Sequence, residues 1–364
     1  MPSYRRVSIG LVTRPVLLAV DGNSLVHRSF HALAATGMRS GDGEPIWAVR
    51  GLLTQLVAAV ERIGPVAVVV GFDDASTSVR RQKWPQYKAN RTDKLASLVQ
   101  QLELAIIVLT ELGVHVVVPD GLEADDVLAS AASFAAANDA RTVIMTSDRD
   151  SFAIIDDNTS VLRIINGGVD ASPVLTPERL TTMLGIHPRQ YRDFAALRGD
   201  PSDNLPGVRG IGPKTAAKLL AALGSARAAF DDLAEGGHAV RAAIGDRAAG
   251  TLAAAGALRN WQHNCEVMAF HADLDLELTL SGGPGVLPLP VEIVRSVFAG
   301  QQLPATLPTA LRVLAHHEQD GPEPVFADPV RASDWPPNRP YWSGTRYGKL
   351  PAKPAARDEQ LALF

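Results

Sequence analysis

Two rhythms of apolar residues run through the first half of the chain. Residues 16–20, 66–72, 114–118 and 142–146 are short aliphatic, β-branched runs with the length of buried strands. Between them, Leu95, Leu98, Leu102, Ile106, Leu109 and Leu112 recur at three- and four-residue steps and stop at Gly113, which predicts a helix. Strands alternating with helices imply a parallel or mostly parallel α/β sheet covered on both faces. Ligands of such sheets bind beyond the carboxyl ends of the strands. Three of the runs lead into an acid there: Asp21, Asp73 and Asp148. Turn formation or helix capping accounts for any one of them. All three together predict convergence in one crevice.

From Thr176 onward the pattern becomes a series of short helices. Pro177, Pro188 and Pro213 sit at first-turn positions and Gly185, Gly199 and Gly224 just past the ends. After about residue 321 the sequence is rich in proline and polar residues and loses periodicity. The expected organisation is an N-terminal extension over 1–15 and an α/β domain over 16–175. A helical subdomain with the C-terminal part of the core follows over 176–320, then a tail over 321–364.

The chain has 364 residues, 46% hydrophobic and 20% charged, enough for a full core and against disorder throughout. A single cysteine, Cys265, forbids an intrachain disulfide and a Cys-rich zinc site, and suits a reducing, cytoplasmic setting. No apolar run approaches the roughly 20 residues of a membrane span. The net charge of −4 does not itself suggest a polyanion partner, so its distribution decides.

The segment Gly121-Leu-Glu-Ala-Asp-Asp-Val-Leu-Ala-Ser130 places Glu123, Asp125 and Asp126 in the first turn of an Ala-rich helix. Acids are favoured there by the helix dipole, so the cluster alone is ambiguous. Asp148 and Asp150 in Thr146-Ser-Asp-Arg-Asp150, and Asp200 and Asp203 in Gly199-Asp-Pro-Ser-Asp-Asn204, add four more at connections. Carboxylates this dense repel one another unless cations neutralise them. An all-oxygen set suits Mg²⁺ or Mn²⁺, and the number of acids implies more than one ion. Paired ions are a standard device for in-line displacement at phosphorus, which points to phosphodiester hydrolysis. No nucleophile triad or phosphate-binding Gly-Lys loop stands out.

Positive charge is concentrated in two places. Residues 79–94 carry Arg80, Arg81, Lys83, Lys88, Arg91 and Lys94 against Asp93, a local +5, interleaved with Trp84 and Tyr87. The segment is either a solvated connection or a strip that tracks phosphates and offers faces for bases. Leu205-Pro-Gly-Val-Arg-Gly-Ile-Gly-Pro-Lys-Thr215 predicts a tight hairpin: Gly207, Gly210 and Gly212 expose N–H groups ahead of a helix bearing Lys214 and Lys218. That arrangement binds duplex backbone without reading sequence.

These residues resemble the flap endonuclease family, most closely the 5' nuclease domain of bacterial DNA polymerase I and its free-standing 5'-3' exonuclease relatives. The match runs over about 17–223. It rests on Val20-Asp-Gly-Asn-Ser-Leu25 with Arg28-Ser-Phe-His31, Phe72-Asp73, Tyr87-Lys-Ala-Asn-Arg91, Glu123-Ala-Asp-Asp126, Ser147-Asp-Arg-Asp150 and the Gly199 to Thr215 stretch. The resemblance implies a PIN-like, flap-endonuclease-like sheet with an arch at about 79–112 and a helix-hairpin-helix subdomain. It implies that Asp21, Asp73, Glu123, Asp125, Asp126, Asp148, Asp150, Asp200 and Asp203 hold two or three Mg²⁺ or Mn²⁺ ions. Arg80, Lys88 and Arg91 then approach the scissile phosphate, and Arg28, Arg81, Lys83, Tyr87 and Thr215 join the DNA contacts. The resemblance further implies a K⁺ at the hairpin, on the backbone carbonyls of Val208 and Ile211.

The implied activity is a structure-specific 5' nuclease for DNA with 5' flaps, 5' ends or RNA primers, in replication and repair. Val79 and Lys83 depart from the types expected at the arch entrance. The chain is too short to add a polymerase domain, so a free-standing enzyme is expected, with a monomer as the default state. The end, Gln360-Leu-Ala-Leu-Phe364, resembles the short bacterial motif that docks on the sliding clamp, through Gln360, Leu361, Leu363 and Phe364. A single-strand ribonuclease on a similar sheet, or a silent junction-binding protein, are the competing readings. The first has no reason to keep the glycine hairpin, and the second none to keep every acid.

Overall fold

In the computed structural model, residues 14–91 and 93–315 are described. They belong to the first of two compact units, Met1–Phe326. Most of the N-terminal extension, the proline-rich tail and the clamp-like motif lie outside the described residues.

Each aliphatic run forms a strand. β1 (Val16–Asp21) is followed by α1 (Gly22–Leu33) and α2 (Trp47–Ile63), β2 (Ala67–Gly71), α3 (Val79–Lys83) and α4 (Ala96–Leu112). Then come β3 (His115–Val117), α5 (Ala124–Ala137), β4 (Arg141–Thr146), β5 (Thr159–Arg163) and β6 (Val174–Leu175). The sheet order is β3-β2-β1-β4-β5-β6, parallel except for β6. The chain moves outward from β1 through β2 to β3, then returns to β4 on the other side of β1, so a topological switch lies at β1 and β4. β2, β1 and β4 are neighbours, with Leu17 opposite Ala67 and Thr142. Their carboxyl ends are therefore about 5 Å apart from strand to strand.

Alternate side chains of each strand enter opposite layers. Leu18, Val20, Val68, Val70, Val143 and Met145 join one core with α1, α2 and α4. α5 covers the other face, against β1, β2 and β4.

The helical part contains α6 (Pro177–Leu184), α7 (Tyr191–Arg198), the two-residue strands β7 (Gly199–Asp200) and β8 (Leu205–Pro206), α8 (Pro213–Leu223), α9 (Ala226–Ala234), α10 (His238–Leu252) and α11 (Ala257–Val267). Pro177 and Pro213 occupy first-turn positions, and Gly185 and Gly224 cap helix ends, as their types dictate. Beyond α11 the chain returns to the sheet: Val68 N–H donates to the Gly285 carbonyl and Leu287 N–H to that of Val66. α12 (Val291–Gly300) and α13 (Leu307–Ala310) complete the core, with α12 against α4.

The range expected for an arch, 79–112, divides in two. Leu98, Leu102, Ala105, Val108, Leu109 and Leu112 of α4 are buried in the main core. The periodic apolar face that predicts this helix also fixes it to the body, which leaves 79–95 as the segment over the site.

Candidate active site

Asp21 ends β1 and caps α1, accepting the Ser24 N–H at 2.9 Å. Thr146, wholly buried at the end of β4, donates its hydroxyl to Asp21 Oδ2 at 2.6 Å and accepts the Asp148 N–H at 2.9 Å. One hydroxyl thus ties the acids of two neighbouring strands. Gly22 lets Phe72 lie against the start of α1, since a Cβ there would stand 2.4 Å from the Phe72 ring. Gly22→Ala should therefore lower stability by about 1–3 kcal/mol through overpacking, measurable by thermal denaturation.

Asp73 follows β2. Its N–H donates to Asn23 Oδ1, and its carboxylate accepts the Ala124 N–H at 2.9 Å, at the start of α5. Glu123 precedes that helix and accepts from Tyr87 Oη at 3.0 Å, Lys88 Nζ at 2.9 Å and Arg80 Nη1 at 3.2 Å. A cavity of about 560 Å³ gathers Asp21, Asp73, Glu123, Asp125 and Asp148. Glu123 and Asp125 also border a second, small cavity with Asp150 and Asp203.

Burial, with the charges of Asp148 and Asp73, pushes the Asp21 carboxyl up to about 7, against the hydrogen bonds from Thr146 and Ser24. Burial and the charges of Asp148, Asp21 and Asp150 raise Asp125 well above the usual carboxylate range. Burial and Asp148, Asp200 and Asp203 do the same for Asp150. Asp200 accepts from the Ser202 N–H and hydroxyl. Gly199 and Gly207 hold its loop shut: a Cβ on Gly207 would lie 2.1 Å from the Arg198 carbonyl oxygen.

Asp126 and Arg80 take other places than the sequence implies. Asp126 is fully buried, and both its oxygens are occupied: Arg80 donates to each at 2.7 Å, and the His271 and Glu123 N–H groups add two more bonds. Burial works against its charge, but these partners hold its pKa below the ordinary value. Arg80 also donates to the Val267 and Ala269 carbonyls. The pair joins α3, α5 and the segment after α11, with no side left for an ion or a phosphate. Tyr87 likewise offers no stacking face. It is 6% exposed and packs with Leu205 and Val267.

The other basic residues face outward or into the cavity. Lys88, Arg91, Lys94 and Arg28 line it together with the acids. Burial opposes the Lys88 charge, but Glu123 and Asp203 raise its pKa. Arg91 pairs with Asp203 at 2.5 Å, and Arg28 Nη2 donates to Asn166 Oδ1 at 2.8 Å. Arg81 and Lys83 are exposed. In the hairpin, Ile211 N–H donates to the Val208 carbonyl at 2.9 Å, while Gly210, Gly212, Lys214 and Lys218 are exposed and Gly207 and Thr215 half-buried around it. Thr146, Asn23 and Asn166 were not marked by the sequence pattern, since a hydroxyl or amide beside an acid carries no periodic signal.

Residues 16–185 match the model of the 5'-3' exonuclease N-terminal resolvase-like domain, and 186–280 that of the 5'-3' exonuclease C-terminal SAM fold. The chain belongs to the 5'-3' exonuclease family. Among its relatives, DNA polymerase I of Mycobacterium tuberculosis is 39% identical over 240 residues, covering 66% of this chain and 26% of that protein. The thermostable DNA polymerase I of Thermus aquaticus is 39% identical over 217 residues, 60% of this chain and 25% of that one. The chain thus spans about a quarter of the length of these curated relatives. The fold is that of the T5 D15 protein crystallised with metal ions, with a TM-score of 0.56, 17% identity and coverage of 82% of this chain and 99% of that one. The catalytic core of Rad2 in complex with DNA substrate shares it, with a TM-score of 0.51 and 15% identity over 83% and 92%.

The donor set of this family member fits hard divalent cations. Among the described residues no three carboxylate, imidazole or thiolate side chains stand close enough to surround one ion. Burial, with the charges of neighbouring acids, raises the Asp21, Asp125 and Asp150 carboxyls. Cations and protons then compete for the same oxygens. Because the Asp21 pKa in the fold lies above its ordinary 3.8, its contribution to stability is full below about pH 4 and lost as pH rises through about 7. Stabilisation by Mn²⁺, read as a rise in Tm, should therefore grow across that same interval.

Proposed function

We propose that this 5'-3' exonuclease family member hydrolyses DNA phosphodiesters as a structure-specific 5' nuclease, acting on 5' flaps, 5' ends and RNA primers in replication and repair. The observation that carries the reading is the mixed lining of one cavity, in which Asp21, Asp73, Glu123, Asp125 and Asp148 meet Arg28, Lys88, Arg91 and Lys94. Carboxylates gather cations and guanidinium and ammonium groups gather phosphate. A phosphodiester in this cavity would meet both. The named relatives of matching fold, one crystallised with metal ions and one with DNA, support it.

Mg²⁺ or Mn²⁺ at Asp21, Asp73, Asp125 and Asp148, with Glu123, Asp150, Asp200 and Asp203 around them, would lower the pKa of the attacking water and neutralise the leaving oxygen. The protein's own groups do the rest. Lys88 and Arg91 hold the phosphate oxygens, and Arg28, fixed by Asn166, approaches the strand from α1. Thr146 fixes the Asp21 carboxylate against rotation. Arg81 and Lys83, exposed on the outer side of α3, meet the backbone of the single strand. The hairpin 207–215 offers N–H groups and Lys214 and Lys218 to the duplex. A K⁺ at the Val208 and Ile211 carbonyls would stiffen it. Clamp docking by Gln360, Leu361, Leu363 and Phe364, a monomeric state and a cytoplasmic location complete the proposal. Among the described residues no helix is long and apolar enough to cross a membrane.

The test is a labelled 5'-flap duplex incubated with the protein, with and without Mg²⁺ or Mn²⁺. Cleavage near the junction with either metal is expected. Binding without cutting under every metal condition contradicts the proposal. In the same assay, the double variant Lys214→Ala, Lys218→Ala should weaken duplex binding irrespective of sequence. It should also reduce the slope of log affinity against log salt by about two, one per lost phosphate contact.

A further inference from the structure

Two histidines also line the cavity. His27 and His31 lie one turn apart on α1, on the same face, and both line the cavity with Lys94, which precedes α4. His27 is half-buried. Among the described residues the side chain of neither His27 nor Lys94 makes a hydrogen bond or an ion pair. The charged groups that face His27 are Lys94, His31 and Arg91, all cationic or able to become so. Burial and these three neighbours lower its pKa to about 4. Asp73 is the acid that faces Lys94. A half-buried imidazole without a side-chain partner, set beside the exposed cationic Lys94, is the mirror image of the crowded carboxylates in the same cavity.

We propose that His27, His31 and Lys94 form an anion subsite that takes a phosphate group of the substrate strand beside the bond to be cut. The inference rests on the nuclease reading above and adds a contact to it. A neutral imidazole still offers one N–H, and an incoming phosphate would favour the protonated ring, which offers two. Lys94 supplies the charge and Arg91 borders the site. The phosphate belongs either to a terminal 5'-phosphate or to an internal phosphodiester of the strand.

Two measurements on the full chain test this. The first follows the ring signals of the nine histidines by NMR while inorganic phosphate is added without divalent cations. The His27 ring should shift, and Lys94→Gln should weaken the response by about tenfold in phosphate concentration, the worth of one charge-assisted hydrogen bond. His27→Phe, which keeps the ring volume, identifies the signal. An unmoved His27 ring at tens of millimolar phosphate, or a response unchanged in Lys94→Gln, overturns the subsite. The second compares cleavage of otherwise identical duplexes ending in 5'-phosphate or 5'-hydroxyl. A preference of about tenfold for 5'-phosphate, abolished in His27→Phe and Lys94→Gln, assigns the terminal group. Equal rates on both ends, lowered alike by both variants, assign the internal phosphodiester, and equal rates untouched by the variants overturn the proposal. Should the protein cut neither duplex while phosphate still moves His27, the nuclease reading fails and the anion subsite stands.

Discussion

Asp148→Asn is expected to lower the rate of flap cleavage by about 10³-fold, some 4 kcal/mol of barrier, with duplex binding little changed. Asp148 lies two residues past β4 on the exposed mouth of the cavity. Its Oδ1 accepts the Asp150 N–H, so asparagine of the same shape can keep that bond and lose the charge. The same charge raises the carboxyl pKa of Asp21, Asp125 and Asp150. Removing it should therefore stabilise the cation-free protein while weakening its response to Mn²⁺. Single-turnover cleavage and thermal denaturation, each with and without the cation, measure both effects. A variant that cuts at the native rate, or one that is inactive because it has unfolded, contradicts the assignment.

Lys88→Met should reduce kcat by about 10²-fold and move KM by less than about threefold, as loss of a group that acts on the reacting phosphate does. Methionine keeps the length of the stem, so packing beside Tyr87 survives. In the structure the Lys88 ammonium sits 2.9 Å from Glu123 Oε1 and the Lys88 backbone N–H donates to the Asp203 carbonyl, which fixes the residue over the acids. If kcat is unchanged while KM rises, Lys88 holds the strand and does not serve the chemistry.

The strands and the acids at their ends were legible because an aliphatic run stopping at a carboxylate needs only local information. The same holds for α4 and its stop at Gly113, and for Pro213 opening α8. Asp126 was not, because three acids in one helical turn read alike until the partner of each is known. The arginine that saturates Asp126 comes from 46 residues earlier in the chain. Tyr87 was misread for a similar reason, since its burial depends on Leu205 and Val267, both remote in sequence. Within the range expected for the arch, the apolar period of α4 marks the part that is buried in the core. The short β5 and β6 lie outside the anticipated strands. β6 has two residues and pairs antiparallel with β5 through tertiary context.

Anomalous diffraction from crystals of the full chain soaked in Mn²⁺ tests the central claim most directly. The account predicts peaks inside the cavity bounded by Asp21, Asp73, Asp125 and Asp148, lost in Asp148→Asn crystals. Peaks confined to other surfaces, or a cavity that stays free of manganese at concentrations that support cleavage, would contradict it.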